Sequence, residues 1–302
     1  RLAGRRFCLL HDGVLAVSPK SFASLVDQLT LDEQISLLAG AGFWGTVAID
    51  RLGIPSIKVT DGPNGARGAG ALASGTPAAS FPVGISLAST WNLDLAREFG
   101  SALAAEVKTK GAQVALAPTV NIHRSPLGGR NFESFSEDPL LAGKIGAAIV
   151  AALQEQKIAA TVKHYTGNES EFERATVNSV IPERALRELY LRPFEIVVRE
   201  ANPWGFMSAY NQVNGVFCCQ NPRLLQAILR DEWGFNGFVM SDWVGTKTTV
   251  EAINAGLDLE MPGPTIQRGP KLRAAVDAGQ VSRTAVRTAA ENILTMIDRV
   301  DG

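Results

Sequence analysis

Residues 237–243 read Gly-Phe-Val-Met-Ser-Asp-Trp, an apolar run that leads directly into a carboxylate and an indole. The uninterrupted apolar residues from Phe238 to Met240 are typical of a strand covered on both faces, as in a parallel sheet. Asp242 follows where such a strand ends. In barrels of alternating strands and helices, chemistry is concentrated at this C-terminal edge. Asp242 is therefore a candidate functional carboxylate, and the alternative is a helix N-cap.

The order of the other apolar segments indicates the fold class. Strand patterns alternate with helical patterns, and we predict strands at 57–60, 83–87, 113–117, 158–162, 204–209, 238–240 and 257–260. A capping box at Thr30 and Glu33 opens the first helix, and Pro139 begins a later one. This alternation predicts an α/β fold, a parallel (β/α)8-type TIM barrel that is irregular at its first strands. The pattern does not place an eighth strand.

The composition excludes several classes of partner. The chain has 302 residues, of which 46% are hydrophobic and 20% are charged, so it can bury a large core. A formal net charge of -1 gives no basic excess for nucleic acid or an anionic membrane surface. No apolar run approaches the ~18 residues of a membrane span. We therefore expect a small-molecule partner, with no nucleic acid and no membrane.

The cysteines and the N-terminal segment bear on the compartment. The three cysteines show neither a disulfide framework nor metal-ligand spacing, so we expect no metal. No Gly-x-Gly-x-x-Gly follows any predicted strand, so a dinucleotide fold has no support, and we expect no cofactor. They favour a reducing, cytoplasmic compartment, with secretion left open. Residues 1–20 begin like a signal peptide, but their apolar stretch is too short, and we interpret them as an N-terminal tail. The Gly- and Ala-rich loop 66–82 could contact a neighbouring subunit, which leaves a homo-oligomer open.

Polar side chains follow several of the predicted strands. Asp61, Lys163, His164, Tyr210 and Asp242 each come just past a strand end, and such ends converge on one rim of a barrel. Carboxylates accept hydrogen bonds from paired hydroxyls, cations donate to others, and aromatic faces contact the C–H side of a sugar ring. Taken singly, Asp61 could be a turn residue, Lys163 a salt-bridged lysine and His164 a core histidine. Together they favour a polyol-binding site.

A polar loop carries a further candidate. Residues 130–139 read Arg-Asn-Phe-Glu-Ser-Phe-Ser-Glu-Asp-Pro. Glu137 and Asp138 fit the N-terminus of the helix that Pro139 begins, where negative charge is favourable. Arg130 is the better candidate for reaching the pocket.

These motifs together resemble glycoside hydrolase family 3, specifically the N-terminal barrel domain of its β-glucosidase branch. The matching segments occur in the family's order at residues 61–65, 121–139, 162–165, 207–211, 239–243 and 255–262. The resemblance implies a barrel domain at residues 21–302. It also implies that the α/β sandwich domain of two-domain members is absent from this chain.

The resemblance implies a retaining β-glycosidase of the β-glucosidase type, which hydrolyses terminal non-reducing β-D-glucosyl residues. Asp242 matches the nucleophile that forms a covalent glycosyl-enzyme. The positions that match sugar-holding or pocket-lining residues are Asp61, Arg130, Lys163, His164, Tyr210, Met207 and Trp243. The nucleophile of a retaining enzyme must be ionised, and we expect the charges of Lys163 and Arg130 to lower its pKa.

The second carboxyl group of the mechanism is where the chain departs from the family. In two-domain members the acid/base Glu comes from the sandwich domain, so it is not assigned here, and Glu169 and Glu133 are fallbacks. No Asp-x-His pair follows Lys163-His164, so the β-N-acetylglucosaminidase branch is not assigned either. Two other functions stay open: a sugar-binding barrel fragment with little turnover, and a Schiff-base lyase that uses Lys163.

Overall fold

The computed structural model describes residues 21–68 and 76–301, and the backbone of two short strands before them. These strands, Phe7–Leu9 and Leu15–Val17, pair antiparallel within the segment predicted to be a tail. The rest of that segment lies outside the described residues, as does the middle of the predicted loop 66–82. The described part of this loop at 76–80 is exposed, as the prediction of a surface loop requires.

The described residues form alternating strands and helices. The strands are β1 (Phe7–Leu9), β2 (Leu15–Val17), β3 (Val59–Thr60), β4 (Val114–Ala115), β5 (Ala159–Tyr165), β6 (Asn178–Ser179), β7 (Gly205–Ser208), β8 (Gln212–Val213), β9 (Val216–Phe217) and β10 (Phe238–Ser241). The α-helices are α1 (Leu31–Leu37), α2 (Gly84–Ala88), α3 (Leu93–Thr109), α4 (Pro139–Glu155), α5 (Glu183–Ala185), α6 (Arg192–Ala201), α7 (Val250–Asn254), α8 (Pro270–Asp277) and α9 (Arg283–Asp301). Short 3-10 helices lie at Ala23–Gln28, Asp50–Leu52, Asn131–Glu133 and Cys218–Gln220, and π-helical turns lie at Leu186–Tyr190 and Arg223–Glu232.

The central sheet is parallel and curls into a ring. Among the described strands, five pair in the order β10-β7-β5-β4-β3. Beyond β10, the backbone at 259–260 pairs in parallel with β10 on one side and with residues 39–40 on the other. Residues 39–46 then connect back to 57–58 through antiparallel bridges. The predicted α/β barrel is confirmed, and its first strands are irregular, as predicted.

Alternate residues of the central strands face different apolar clusters. Val59, Val114 and Met240 belong to an inner cluster that continues to residues of α1 and α9. Ala115 and Val239 belong to an outer cluster between the sheet and helices α3, α4 and α6. This alternation follows from the two-residue period of a strand. Each strand of the central sheet therefore has a row of side chains that point toward the barrel axis.

The helix starts follow the predicted capping chemistry. Thr30 and Glu33 form the capping box of α1, with the Thr30 hydroxyl accepting from the Glu33 N–H and the Glu33 carboxylate accepting from the Thr30 N–H. Asp138 caps α4, because its carboxylate accepts from the N–H groups of Leu140 and Leu141.

Within the described residues, no helix is both long enough and apolar enough to span a membrane.

The predicted strand at 83–87 is wrong. The segment forms helix α2 instead, with Leu87 and Ala88 buried and Val83 and Ile85 exposed by 43% and 49%. Gly84, Leu87 and Ala88 share one face at helical spacing, which a short apolar run cannot distinguish from a strand pattern.

Candidate functional site

Three inward-facing rows end in charged side chains. Val59 and Met240 lie in the inner cluster, and Asp61 and Asp242 lie two residues further along the same faces. Lys163 occupies the inward position of β5 that continues the row of Ala159. Because parallel strands end at a common edge, these charged groups meet at the C-terminal rim of the barrel.

An irregularity in β5 brings His164 to the same rim. Consecutive residues of a regular strand point to opposite faces. The pairing of β5 with β7 shifts register between Val162 and Tyr165, as at a β-bulge. Lys163 and His164 are the two residues inside this shift, and both line the hollow at the rim. The bulge therefore places two adjacent basic side chains in one pocket.

The hollow collects all the site residues predicted from the sequence. It encloses about 110 Å³. The predicted residues that line it are Asp61, Arg130, Lys163, His164, Met207, Tyr210, Asp242 and Trp243. Trp44, Leu116 and Arg174 line it as well, and sequence reasoning did not predict them.

One side of the hollow, the Asp61 side, consists of ion pairs among Asp61, Lys163, Glu133 and Arg130. The Lys163 Nζ donates to Asp61 Oδ1 at 2.7 Å and lies 3.6 Å from Glu133 Oε2. The same Glu133 carboxylate accepts from Arg130 Nε and from the Thr119 hydroxyl. Lys163 and Glu133 are 2% and 4% exposed, so this pair is buried, whereas the side chains of Asp61 and Arg130 are 33% and 24% exposed.

The charges of this side keep its carboxyl groups ionised. Burial alone would raise the pKa of Asp61, but the charge and hydrogen bond of Lys163 outweigh burial and hold it below its usual value. Burial likewise disfavours the ionised form of Glu133, but the charges of Lys163 and Arg130 outweigh burial, and the pKa of Glu133 is also lowered. An ionised Glu133 between two cations has no proton to give, which argues against it as the acid/base. A lysine held by two carboxylates is equally unsuited to Schiff-base attack.

The opposite side of the hollow, the Asp242 side, comprises Asp242, Trp243, Tyr210 and His164. The backbone N–H of Trp243 donates to Asp242 Oδ1 at 2.7 Å, and the Tyr210 hydroxyl donates to the same carboxylate. Burial raises the pKa of Asp242, although the Trp243 N–H and the charges of Arg130 and Lys163 oppose the rise. Both cations lower the pKa, as expected, but desolvation of the carboxylate is the larger effect, so the net shift is upward.

His164 is a neutral hydrogen-bonding group in this setting. Burial, together with the charges of Arg130 and Lys163, lowers its pKa well below the usual value. The Arg130 Nη2 lies 2.9 Å from His164 Nε2. A guanidinium only donates, so Nε2 accepts and the ring proton is on Nδ1. The 3.7 Å approach of Nε2 to Asp242 Oδ2 is therefore not an ion pair.

Arg174 and Trp44 are the functional candidates that sequence reasoning missed. The Arg174 guanidinium lies 4.9 Å from the centroid of the Tyr210 ring and pairs with Glu171 at 2.7 Å. The Trp44 ring packs 5.2 Å from that of Trp243, centroid to centroid. Trp44 stands among glycines, a signal that could have marked it, whereas Arg174 lies in a charged loop without any pattern.

Glu169, the second fallback for the acid/base, lies outside the hollow. It lines a small neighbouring cavity, which it shares with Arg130 and His164. Packing around the carboxyl group raises the pKa of Glu169 to about 7, although a hydrogen bond from Asn121 opposes the rise.

Within the described residues, no group of three or more His, Cys, Asp or Glu side chains is arranged to hold a metal ion.

Comparison with known proteins gives consistent matches. Residues 37–296 match the profile described as the glycosyl hydrolase family 3 N terminal domain. The chain is 56% identical over 276 residues to a beta-glucosidase of Rhizobium radiobacter, covering 91% of this chain and 34% of that protein. It is 53% identical to beta-glucosidase B of Emericella nidulans, over 94% of this chain and 34% of that protein.

Solved structures agree with these sequence matches. The beta-glucosidase of Kluyveromyces marxianus in complex with glucose superposes with a TM-score of 0.90 at 48% identity, over 93% of this chain and 34% of that one. Beta-glucosidase 3B of Thermotoga neapolitana in complex with glucose gives 0.87 at 39% identity, over 93% of this chain and 43% of that one. The chain thus spans about a third of the length of the curated relatives it matches.

Proposed function

The chain belongs to the glycosyl hydrolase family 3 N-terminal domains, and we propose that it supplies the sugar-binding hollow and the nucleophile of a retaining β-glucosidase. Its barrel, at residues 21–302, takes a terminal non-reducing β-D-glucosyl residue as ligand. The names and bound glucose of its relatives support this substrate class.

The observation that carries the proposal is the placement of Asp242 opposite the ion-paired Asp61 and Lys163 in one hollow. In this arrangement the Asp61 side offers a carboxylate acceptor and ammonium and guanidinium donors to sugar hydroxyls. These charged groups form strong hydrogen bonds with fixed direction. The Asp242 side then presents a carboxylate that no neighbouring cation holds by a direct salt bridge within the described residues.

The chemistry assigned to Asp242 is attack on the anomeric carbon. The carboxylate forms a bond to that carbon while the glycosidic C–O bond breaks, and water later hydrolyses the glycosyl-enzyme. The backbone N–H of Trp243, the Tyr210 hydroxyl and the charge of Arg130 each favour the ionised form of Asp242. The buried setting keeps the carboxylate poorly solvated, and a poorly solvated anion pays less to leave water during attack.

A second candidate, a sugar-binding barrel with little turnover, is favoured by one observation. The carboxyl groups that line the hollow in the described part of the chain are Asp61 and Asp242. Asp61 is held ionised by Lys163, so it cannot donate a proton to a leaving group. Turnover of ordinary glucosides then requires a proton donor from elsewhere.

An aryl β-glucoside with a good leaving group separates the two candidates, because its phenolate departs with little acid help. We expect release of the phenolate by the wild-type chain and loss of release in the Asp242→Ala variant. Calorimetric binding of glucose without phenolate release would favour the binding barrel. Equal release by wild type and Asp242→Ala would contradict the role of Asp242.

A further inference from the structure

Asn121 contacts the backbone of a residue of the hollow without lining the hollow itself. It is 4% exposed and lines the neighbouring small cavity. Its Oδ1 accepts from the His164 N–H at 2.7 Å, and its Nδ2 donates to the His164 carbonyl at 3.1 Å. The same Nδ2 donates to Glu169 Oε1 at 3.0 Å. One side chain therefore satisfies both backbone polar groups of His164.

These partners fix the orientation of the Asn121 amide. The His164 N–H needs an acceptor and the His164 carbonyl needs a donor. A flipped amide would place its NH2 against the N–H and its oxygen against the carbonyl, and both bonds would be lost. The correct orientation leaves the second amide proton for Glu169, which is on the loop that follows β5.

The Asn121 side chain takes the place of a missing rung of the sheet. At the first residue of the irregularity, the Lys163 N–H donates to the Pro118 carbonyl and the Lys163 carbonyl accepts from the Val120 N–H. On the other edge, the register of β5 against β7 shifts around residues 163–164. His164 thus pairs with the Asn121 carboxamide, which extends the ladder of residues 118–120 by one residue.

We infer that Asn121 is a positioning residue, whose carboxamide, held by Glu169, fixes the irregular turn of β5 that directs both Lys163 and His164 into the hollow. The inference rests on the proposed function, since it concerns how the sugar-binding side chains are held. Asn121 acts through the backbone of His164 and touches no part of the sugar hollow. Buried backbone groups left without partners are costly, so loss of this side chain releases the turn.

Histidine NMR signals test the inference directly, because the chain has three histidines. In protein with labelled histidine, the imidazole signals are assigned by substituting the histidines one at a time. His123 is a matched internal control: its Nε2 bonds to the Asn131 carbonyl at 3.0 Å, and it lies two residues from Asn121. In Asn121→Ala we expect the His164 signals to move and those of His123 to stay.

A binding measurement accompanies the NMR signals. For a glucose-configured iminosugar, we expect the Kd of Asn121→Ala to rise about 10- to 100-fold, which one to two lost hydrogen bonds would produce. Glu169→Ala should move the His164 signals in the same direction, whereas Glu169→Gln, which keeps an acceptor oxygen, should leave them in place. If Asn121→Ala does not fold, Asn121→Asp keeps the acceptor and loses both donors, and the same readout decides.

Unchanged His164 signals in a folded Asn121 variant would overturn the inference. Equal movement of His123 and His164 would also overturn it, because that pattern indicates a general disturbance of the loop. If the wild-type chain neither binds the iminosugar nor cleaves an aryl glucoside, the proposed function fails. The movement of His164 in Asn121→Ala would still decide whether Asn121 holds the turn.

Discussion

The two sides of the hollow hold carboxylates in opposite electrostatic states. On the Asp61 side, a lysine at 2.7 Å lowers the pKa of a carboxyl group that burial alone would make less acidic. On the Asp242 side, the His164 Nε2 lies 3.7 Å from the carboxylate but is neutral, so it forms no ion pair, and burial raises the pKa of Asp242. Of these two carboxyl groups, the one with a direct lysine partner has the lowered pKa, and the one without such a partner has the raised pKa. A paired carboxylate is suited to binding, and an unpaired one is suited to reaction.

The largest expected effect is on the Asp242 side. Asp242→Asn removes the anion that forms the covalent bond, so kcat on an aryl β-glucoside should fall by about 10⁴-fold or more. The protein should still bind an iminosugar, because the Asp61 side is untouched. Asp231→Asn, at an exposed position, serves as the control. A kcat within tenfold of wild type would remove Asp242 from its proposed role.

On the Asp61 side the expected effect is on affinity. Asp61→Asn removes the partner of Lys163 and weakens hydrogen bonds to sugar hydroxyls, each worth roughly 1.5–3 kcal/mol when one partner is charged. Calorimetry should therefore show an iminosugar Kd about 10²-fold higher than wild type. If instead Asp61→Asn preserved the Kd and Asp242→Asn abolished binding, the division of roles between the two sides would be reversed.

The ion pairs of Glu133 on the Asp61 side contribute to the stability of the protein. The Glu133→Gln variant leaves Arg130 and Lys163 with one fewer buried anion, and breaking a buried ion pair costs about 3 kcal/mol. Urea unfolding should report a loss of this size in the free energy of unfolding. Glu137→Gln, at an exposed position on the same loop, should change it by less than about 0.5 kcal/mol. Equal stability of the two variants would show that the network does not hold the rim together.

The smallest expected effect concerns pH on the Asp242 side. Asp242 must be ionised to attack, so kcat/KM falls as pH drops through its raised pKa. Tyr210→Phe removes a hydrogen bond that favours the carboxylate, so this acid limb should move to higher pH, with about tenfold lower kcat/KM at acidic pH. Tyr190→Phe removes a hydroxyl bonded to Arg124 outside the hollow and should leave the limb in place. If the acid limb of kcat/KM has the same midpoint pH in Tyr210→Phe as in wild type, a group other than Asp242 determines that midpoint.

The barrel and its rim could be predicted because a local rule applies to them. Apolar runs such as 238–240 are followed by polar side chains, and strand ends of a parallel barrel meet at one edge. The short run at 83–87 failed because its apolar residues fit a helix face as well as a strand. The closing segment at 39–40 carries too few residues to form a pattern, so the last strand of the ring could not be placed.

The site was predicted more completely in its membership than in its electrostatics. Arg174 reaches the hollow from a loop whose course depends on tertiary contacts, and no local signal marks it. The sequence indicates that Lys163 and Arg130 accompany Asp242 in the site, but it does not show how deeply the Asp242 carboxylate is buried. Burial decided the direction of the pKa shift. The adjacency of Lys163 and His164 in the hollow similarly depends on a register shift that has no sequence signature here.

The covalent bond that we propose between Asp242 and the sugar can be measured directly by trapping the glycosyl-enzyme. A 2-deoxy-2-fluoro-β-glucoside with an activated leaving group slows hydrolysis of the glycosyl-enzyme, so the intermediate accumulates. We predict that intact-protein mass spectrometry shows one added fluoroglucosyl group, that fragmentation places it on Asp242, and that Asp242→Asn shows none. An adduct on any other residue, or phenolate release from the wild-type chain with no adduct, would contradict the role of Asp242 as the nucleophile.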